Sequence, residues 1–216
     1  MKSSTGLDPT LLRILQPAYK CPEFTDTCKD WARWCPTGGH VPRGFLGACG
    51  NVSEVELVFV LAEPGDPYPE EKHDGLDSAY NFLLSRFRAA LSVRSRNLRS
   101  IIDSCWPRMP FDKQMRKVWI TNSVLCSAPE EGGEVPRRSE KICGERYLLK
   151  EIAVFQNALV IALGGKAARR LRALGITDFT PVGAVTLPGC NFPKTRASWQ
   201  SVPTELQKHR RKHGLR

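Results

Sequence analysis

Eight cysteines are the residues of this 216-residue chain with the clearest capacity for chemistry. Thiolates bind zinc or iron–sulfur clusters, whereas small secreted proteins use cysteines for disulfides. The first six residues, MKSSTG, lack the apolar run of a signal peptide, so we expect the protein to stay in a reducing compartment. Cysteines in such a chain indicate metal or cluster ligands. The alternative is a set of ordinary buried thiols, which is our interpretation of Cys105 and Cys190.

Polar or turn-forming residues lie at the ends of four apolar runs that predict buried strands. The four predicted strands are residues 55–61, 118–125, 158–163 and 182–187. Glu63 comes just after the first strand, Asn122 lies near the end of the second, Gly164 follows the third and Pro188 follows the fourth. Ligand chemistry gathers at the carboxyl ends of parallel strands. An acid and an amide at one sheet edge are suited to catalysis and to hydrogen bonding with a ligand.

Helical periodicity between these strands predicts an α/β fold, with a three-layer αβα sandwich around a central, mainly parallel four-stranded sheet. Residues 1–50 carry several prolines and predict an irregular N-terminal region that packs on the main domain, with a short helix at 9–15. Residues 51–200 form the predicted α/β domain. Residues 201–216 are a basic C-terminal tail, and its last part, 208–216, is interpreted as a mobile phosphate-binding arm or a solvated end.

The formal net charge of +10 favours a polyanion such as DNA as the partner. The alternative is a merely basic soluble protein. No stretch approaches the roughly 18 consecutive apolar residues of a membrane span, so we expect no membrane association. We also expect a monomer that is cytoplasmic, or nuclear in a eukaryote, and not secreted.

The strand ends, taken in order, resemble the motifs of the uracil-DNA glycosylase superfamily. LAEPG at 61–65 is similar to its first motif, and ITNSVLC at 120–126 is similar to the strand whose asparagine reads the uracil edge. In the iron–sulfur branches that strand runs into a cluster cysteine. LPG at 187–189 occupies the place of the His-Pro-Ser loop that enters the minor groove. The resemblance covers about residues 28–200 and is divergent.

The resemblance implies four cysteine ligands of a 4Fe-4S cluster. These are Cys28, Cys35, Cys126 and Cys143. Six residues separate Cys28 from Cys35, more than the resemblance most often shows, so Cys21 or Cys49 is an alternative for either. Four thiolates also suit zinc. In either case we expect the bound group to be structural.

The resemblance also implies roles for residues of the first two motifs. Glu63 would be the catalytic carboxylate that stabilises the sugar and orients water, although an acid in such a loop can simply be solvated. Asn122 would read the base, with backbone hydrogen bonding as its alternative role. Gly65 lies in the same base-binding loop. Tyr68 is a better candidate than Tyr80 for the aromatic platform under the base, although it can equally be a packing residue.

The fourth motif departs from the family because Leu187 stands where its histidine would be. An alkyl side chain cannot stabilise the negative charge of the departing base, and His40 and His73 cannot be placed from the sequence. Four residues of this region can still contact DNA as a small-residue loop and its phosphate-binding cations. These are Pro188, Gly189, Lys194 and Arg196.

The resemblance therefore implies a DNA repair glycosylase that flips a deaminated base, first of all uracil, out of DNA and hydrolyses its N-glycosidic bond. One alternative is a non-catalytic nucleic-acid-binding protein with the same fold and cluster, which Leu187 favours. The other is a zinc-stabilised α/β interaction protein in which the cysteines are purely structural.

Overall fold

A computed structural model of the protein describes residues 7–127 and 133–215. Residues 1–6, on which the expectation about a signal peptide rests, lie outside the described residues. The strands are β1 Leu46–Gly47, β2 Leu57–Leu61, β3 Val118–Asn122, β4 Leu159–Leu163 and β5 Thr180–Val182. The α-helices are α1 Pro9–Leu15, α2 Leu76–Arg88, α3 Val93–Cys105, α4 Phe111–Lys117, α5 Arg137–Cys143, α6 Leu149–Val154, α7 Gly165–Ala173, α8 Pro193–Trp199 and α9 Val202–His213. A π-helical turn, Gly144–Leu148, joins α5 to α6.

The five strands form one sheet in the order β1-β3-β2-β4-β5. Strands β2 to β5 are parallel, and β1 is antiparallel to β3. The predicted αβα architecture with a mainly parallel sheet is confirmed. The sheet has one strand more than the four predicted, because β1 has only two residues and no apolar run marks it in the sequence.

Every residue of β2, β3 and β4 is buried, as expected for parallel strands that helices cover on both faces. In β2 and β3 the residues pair in register up to Leu61 and Asn122. The residues that follow these two strands therefore leave the same edge of the sheet side by side. Within the described residues, no helix is long and apolar enough to cross a membrane.

The last strand was predicted at 182–187, and this was wrong: β5 ends at Val182. The N–H of Gly183 donates to Ser198 Oγ (2.9 Å), and its carbonyl accepts from Trp199 Nε1 (3.0 Å). Side chains of α8 thus take the hydrogen bonds that a neighbouring strand would make. Residues 183–187 form part of a loop at the sheet edge.

The first and last helices of the described residues both pack on the sheet domain. The predicted short helix is confirmed as α1, which buries Leu11 and Leu15 in the core. The segment interpreted as a C-terminal tail contains α9, which buries Val202 and Leu206 in the same core. Residues 208–213, interpreted as part of a mobile arm, continue this helix, and His209 and Arg210 contact Asn157 and Glu56 of the main domain. The interpretation as a mobile arm is wrong for these residues.

Candidate active site

The loops that follow β2 and β3 run together for several residues beyond the sheet. Ser123 donates its N–H to the carbonyl of Leu61 (2.8 Å), and Val124 donates to Ala62 (3.1 Å). The first loop, residues 62–68, therefore lies directly against residues 123–127. The parallel strands bring Glu63, Gly65 and Asn122 to one edge of the sheet.

Asn122 is 1% exposed and ends β3. Its Nδ2 donates to the backbone carbonyl of Arg43 (3.3 Å), whereas its Oδ1 has no hydrogen-bond partner among the described residues. Gly44 makes this position possible, because a Cβ there would lie 1.7 Å from Asn122 Nδ2, and its φ of 95° suits glycine. A buried amide oxygen without a partner is costly unless a ligand supplies one.

Arg43 connects Asn122 to the first loop. Its guanidinium donates to Gly65 O (2.5 Å) and Ser127 Oγ (2.6 Å), and Nε lies 3.0 Å from a carboxylate oxygen of Glu71. Burial lowers the pKa of Arg43, and the charge of Glu71 offsets part of that effect. Burial alone would raise the pKa of Glu71, but the hydrogen bond with His73 and the charge of Arg43 hold it below its usual value.

Tyr68 joins the same group of residues through Glu71. Its backbone N–H donates to Glu71 Oε2 (3.0 Å), and the Arg86 guanidinium lies 3.6 Å from the centre of its ring. The ring also packs against Phe82. The structure therefore brings Asn122, Gly65 and Tyr68 together around Arg43 and Glu71. The Arg86 guanidinium lies over the Tyr68 ring, which is the proposed aromatic platform.

Glu63 lies toward α7. Its carboxylate accepts from Lys166 Nζ (3.0 Å) and from Arg170 Nη1 (2.5 Å). Arg170 is 2% exposed and also donates to Ser123 Oγ (3.1 Å) and Glu140 Oε1 (2.7 Å). Glu63 is thus held at the sheet edge by a partly buried ionic network, apart from the Arg43 contacts that hold Asn122.

The two histidines left unplaced by the sequence lie near the first loop. His73 is buried, with Nε2 2.8 Å from Glu71 Oε1 and Nδ1 3.3 Å from Ser78 Oγ. Burial and neighbouring arginines lower the pKa of His40, whose charge would interact with Asp66. His73 therefore contacts Glu71 and Ser78, just after the first loop, and His40 lies within electrostatic reach of Asp66 in that loop. Among the described residues, neither side chain makes a hydrogen bond with Leu187.

The fourth loop, here residues 187–196 including the first turn of α8, presents apolar and basic side chains to solvent. Leu187 and Phe192 are 59% and 61% exposed, and Pro188, Lys194 and Arg196 are exposed too. Gly189 is partly buried, and Arg196 Nε donates to Cys190 O (3.3 Å). Cβ atoms added at Gly164 and at Gly189 would both approach Ala184, so this loop packs on the turn after β4.

Four cysteines line one small cavity between the N-terminal region and α5. They are Cys21, Cys28, Cys126 and Cys143, and Trp31 and Tyr147 lie beside them. Burial raises the pKa of Cys126 well above its usual value and that of Cys143 to about 12, and the neighbouring cysteines add to both effects. Within residues 7–127 and 133–215, no three His, Cys, Asp or Glu side chains are close enough to hold a metal ion.

Contacts across the cavity join the N-terminal region to α5 and the turn after it. Trp31 Nε1 donates to Ser139 Oγ (2.7 Å), and Arg146 donates to Glu23 (2.7 Å). Cys35 lies elsewhere: it is exposed, pairs through its backbone with His40, and has its Sγ 3.6 Å from Thr37 Oγ1. The structure therefore brings three of the four predicted ligands together with Cys21, and it places Cys35 apart from them.

A family model described as the uracil DNA glycosylase superfamily matches residues 50–208. The chain belongs to the uracil DNA glycosylase superfamily. The match contains both motif loops, the fourth loop, Cys126 and Cys143, and it begins after the N-terminal cysteines. A comparison with curated proteins found no match. Superfamily membership supports a glycosylase-like hydrolase that acts on DNA.

Sequence reasoning missed several residues that hold this glycosylase-like site together. Arg43 and Glu71 lie in irregular segments, where no periodicity distinguishes a buried charge from an exposed one. The burial of Arg170 could have been predicted from the sequence, because Arg170 lies on the apolar face of α7, three residues after Ala167 and one before Leu171. A charged residue on such a stripe needs a buried partner, and here the partners are Glu63 and Glu140.

Proposed function

We propose that this protein is a DNA glycosylase that flips a deaminated base, uracil first of all, into the site at the ends of β2 and β3 and hydrolyses its N-glycosidic bond. One observation carries the proposal: Asn122 is buried at that edge with an unpartnered Oδ1, beside a loop that has the first-motif sequence. A flipped base with a ring N–H would supply the missing donor.

In the proposed reaction the C1′–N bond breaks and its electron pair leaves with the base. Water adds to C1′, and its proton passes to Glu63 or to solvent. The carboxylate also stabilises the positive charge that develops on the sugar. Lys166 and Arg170 hold that carboxylate at the sheet edge, and each carboxylate oxygen keeps a lone pair for water. This arrangement fits orientation of the nucleophile.

The fourth loop would contact DNA. Exposed Leu187 and Phe192 are suited to contact unstacked bases, and Lys194 and Arg196 are suited to bind phosphates. Leu187 cannot donate a hydrogen bond to the departing base, and loss of one such donor costs on the order of a hundredfold in rate. We therefore expect slow excision compared with an enzyme that has the histidine.

A non-catalytic DNA-binding protein is the second candidate. Two observations favour it: Leu187 replaces the motif histidine, and both carboxylate oxygens of Glu63 are already engaged in ion pairs. Such a protein would still bind DNA through the fourth loop. Both candidates bind DNA, and only the glycosylase releases a base from it.

We further propose that the cysteine cavity holds a 4Fe-4S cluster, with Cys21 in place of the expected Cys35. Four thiols line one apolar cavity, which suits the donor set of a cluster, although within the described residues no three of them are close enough for a single metal ion. Burial there raises the pKa of Cys126 and Cys143, so bare thiolates are disfavoured. Bound iron would stabilise the thiolate forms of the four cysteines and would crosslink the N-terminal region to Cys126 and to Cys143 at the end of α5. Metal and sulfide analysis of anaerobically purified protein tests this, and zinc without sulfide would instead support a zinc-stabilised protein.

The function is tested by incubating oligonucleotides that carry uracil, hypoxanthine or xanthine with the wild type and with Glu63→Gln. We expect base release by the wild type and its loss in the variant. Glu140→Gln is the matched control, since it changes the other carboxylate bound to the same Arg170 guanidinium and leaves Glu63 in place. DNA binding without base release from any substrate would establish the second candidate.

A further inference from the structure

We propose that Arg43 is a positioning residue that locks the orientation of the Asn122 amide and so sets which bases the site accepts. The inference rests on the proposed function and deepens it. The relevant atoms are the backbone carbonyl of Arg43, which binds Asn122, and its guanidinium, which binds the first loop.

The carbonyl of Arg43 fixes which end of the amide faces the base. A carbonyl oxygen can only accept, so the Nδ2 end of Asn122 must point at it, as its 3.3 Å contact shows. A rotated amide would bring two oxygens together. One Nδ2 hydrogen is thereby committed to Arg43, and the site is left with Oδ1 as an acceptor beside the second hydrogen as a donor.

This donor–acceptor pair matches deaminated bases. Uracil presents a ring N–H next to a carbonyl oxygen, as hypoxanthine and xanthine do. Cytosine and adenine present the reverse, an acceptor ring nitrogen next to an amino group. An Asn122 amide that could rotate would accept either pattern, whereas the locked amide accepts only the first. A site that leaves a buried polar group unpaired rejects the wrong partner strongly.

The lock depends on the position of the Arg43 backbone, which the side chain fixes from the other side. Its guanidinium binds Gly65 O and Ser127 Oγ together, and Nε reaches Glu71. The backbone N–H of Arg43 also donates to Leu125 O (2.9 Å). A planar fork makes these side-chain contacts at once, and a lysine ammonium cannot reproduce their geometry.

Arg43→Lys therefore keeps the positive charge beside Glu71 but cannot make the simultaneous hydrogen bonds of the guanidinium with Gly65 O and Ser127 Oγ. We expect kcat for uracil excision to fall at least about tenfold, because misplacement of a recognition group by about 1 Å can cost a hundredfold. We expect KM to change less than about threefold, since the fourth loop and its cations are untouched. Arg13→Lys, on the exposed side of α1, is the control and should match the wild type in both constants.

The experiment measures kcat and KM at a temperature well below the melting point of each variant. It also follows base flipping through the fluorescence of 2-aminopurine placed beside uracil. Ser127→Ala, which removes one partner of the fork, is the second variant and should lower kcat about threefold or more. If Arg43→Lys does not fold, the kcat of Ser127→Ala tests the positioning role of Arg43 instead.

A wild-type kcat in folded Arg43→Lys, or in Ser127→Ala where Arg43→Lys is unfolded, overturns the positioning role and leaves the glycosylase intact. If the wild type flips uracil without cleaving it, the 2-aminopurine fluorescence of the variants takes the place of kcat. A weaker flipping signal in the variants then supports the positioning role, and a wild-type signal overturns it. A wild type that neither flips nor cleaves refutes the proposed function itself, and the positioning role with it.

Discussion

Glu151→Gln should change how the stability of the protein depends on pH. Glu151 lies on α6 and is fully buried, and its carboxylate accepts from Trp119 Nε1 (2.8 Å). Burial raises its pKa from 4.5 to about 7, and the nearby Thr121 hydroxyl and the hydrogen bond of Trp119 offset only part of that rise. A glutamine has the same shape and still accepts from Trp119, but it never ionises.

The sign of the effect follows from the raised pKa in the folded state. The folded protein binds this proton more tightly than the unfolded chain, so the contribution of Glu151 to stability is present in full below pH 4.5. It is lost as the pH rises through about 7. A shift from 4.5 to about 7 corresponds to roughly 3 kcal/mol.

Urea denaturation of the wild type and Glu151→Gln at pH 5 and pH 8.5 measures this contribution. The difference between the two proteins cancels the titration of other carboxylates, such as Glu71, whose lowered pKa acts in the opposite direction. We expect Glu151→Gln to gain roughly 3 kcal/mol relative to the wild type between these pH values. An exposed change, Glu145→Gln, should show no such trend. A difference independent of pH would refute the buried, protonated carboxyl.

Three further predictions concern the site. Cys21→Ser should abolish the broad absorbance near 400 nm and lower the melting temperature, whereas Cys35→Ser should change neither; the reverse result would restore Cys35 as the ligand. Gly44→Ala should reduce uracil excision at least about tenfold in a folded protein, because the new Cβ would displace Asn122 Nδ2, and unchanged single-turnover rates would contradict that geometry. Leu187→His should raise the excision rate by up to about a hundredfold if this position faces the departing base, and an unchanged rate would show that it does not.

The sequence predicted those parts of the fold that apolar runs define. Strands β2, β3 and β4 are continuous buried runs, and α1 begins after a capping aspartate, Asp8, with a proline at its first position. The end of the last strand was not predictable, because residues 183–187 are as apolar as a strand. Only the contacts of Gly183 with Ser198 and Trp199 show that they leave the sheet.

Sequence reasoning placed the motif residues at the sheet edge but did not identify the residues that contact them there. Strand ends located Glu63 and Asn122, because parallel strands end at one edge. Cysteine spacing could not separate Cys21 from Cys35, since two 3₁₀ turns, Gln16–Lys20 and Pro22–Thr25, carry Cys21 to the cavity. Arg43 lies far from Gly65 and Ser127 in the chain, so only the folded structure shows that it joins them.

Excision of uracil by the wild type and by Asn122→Ala, under single-turnover conditions, tests the account most directly. The buried, unpartnered Oδ1 of Asn122 is the observation on which the proposed function rests. We predict base release by the wild type and a rate at least about a hundredfold lower for a folded Asn122→Ala, because the base would lose its partner in a buried site. Equal rates for the two proteins would contradict the account, since the base would then be recognised elsewhere.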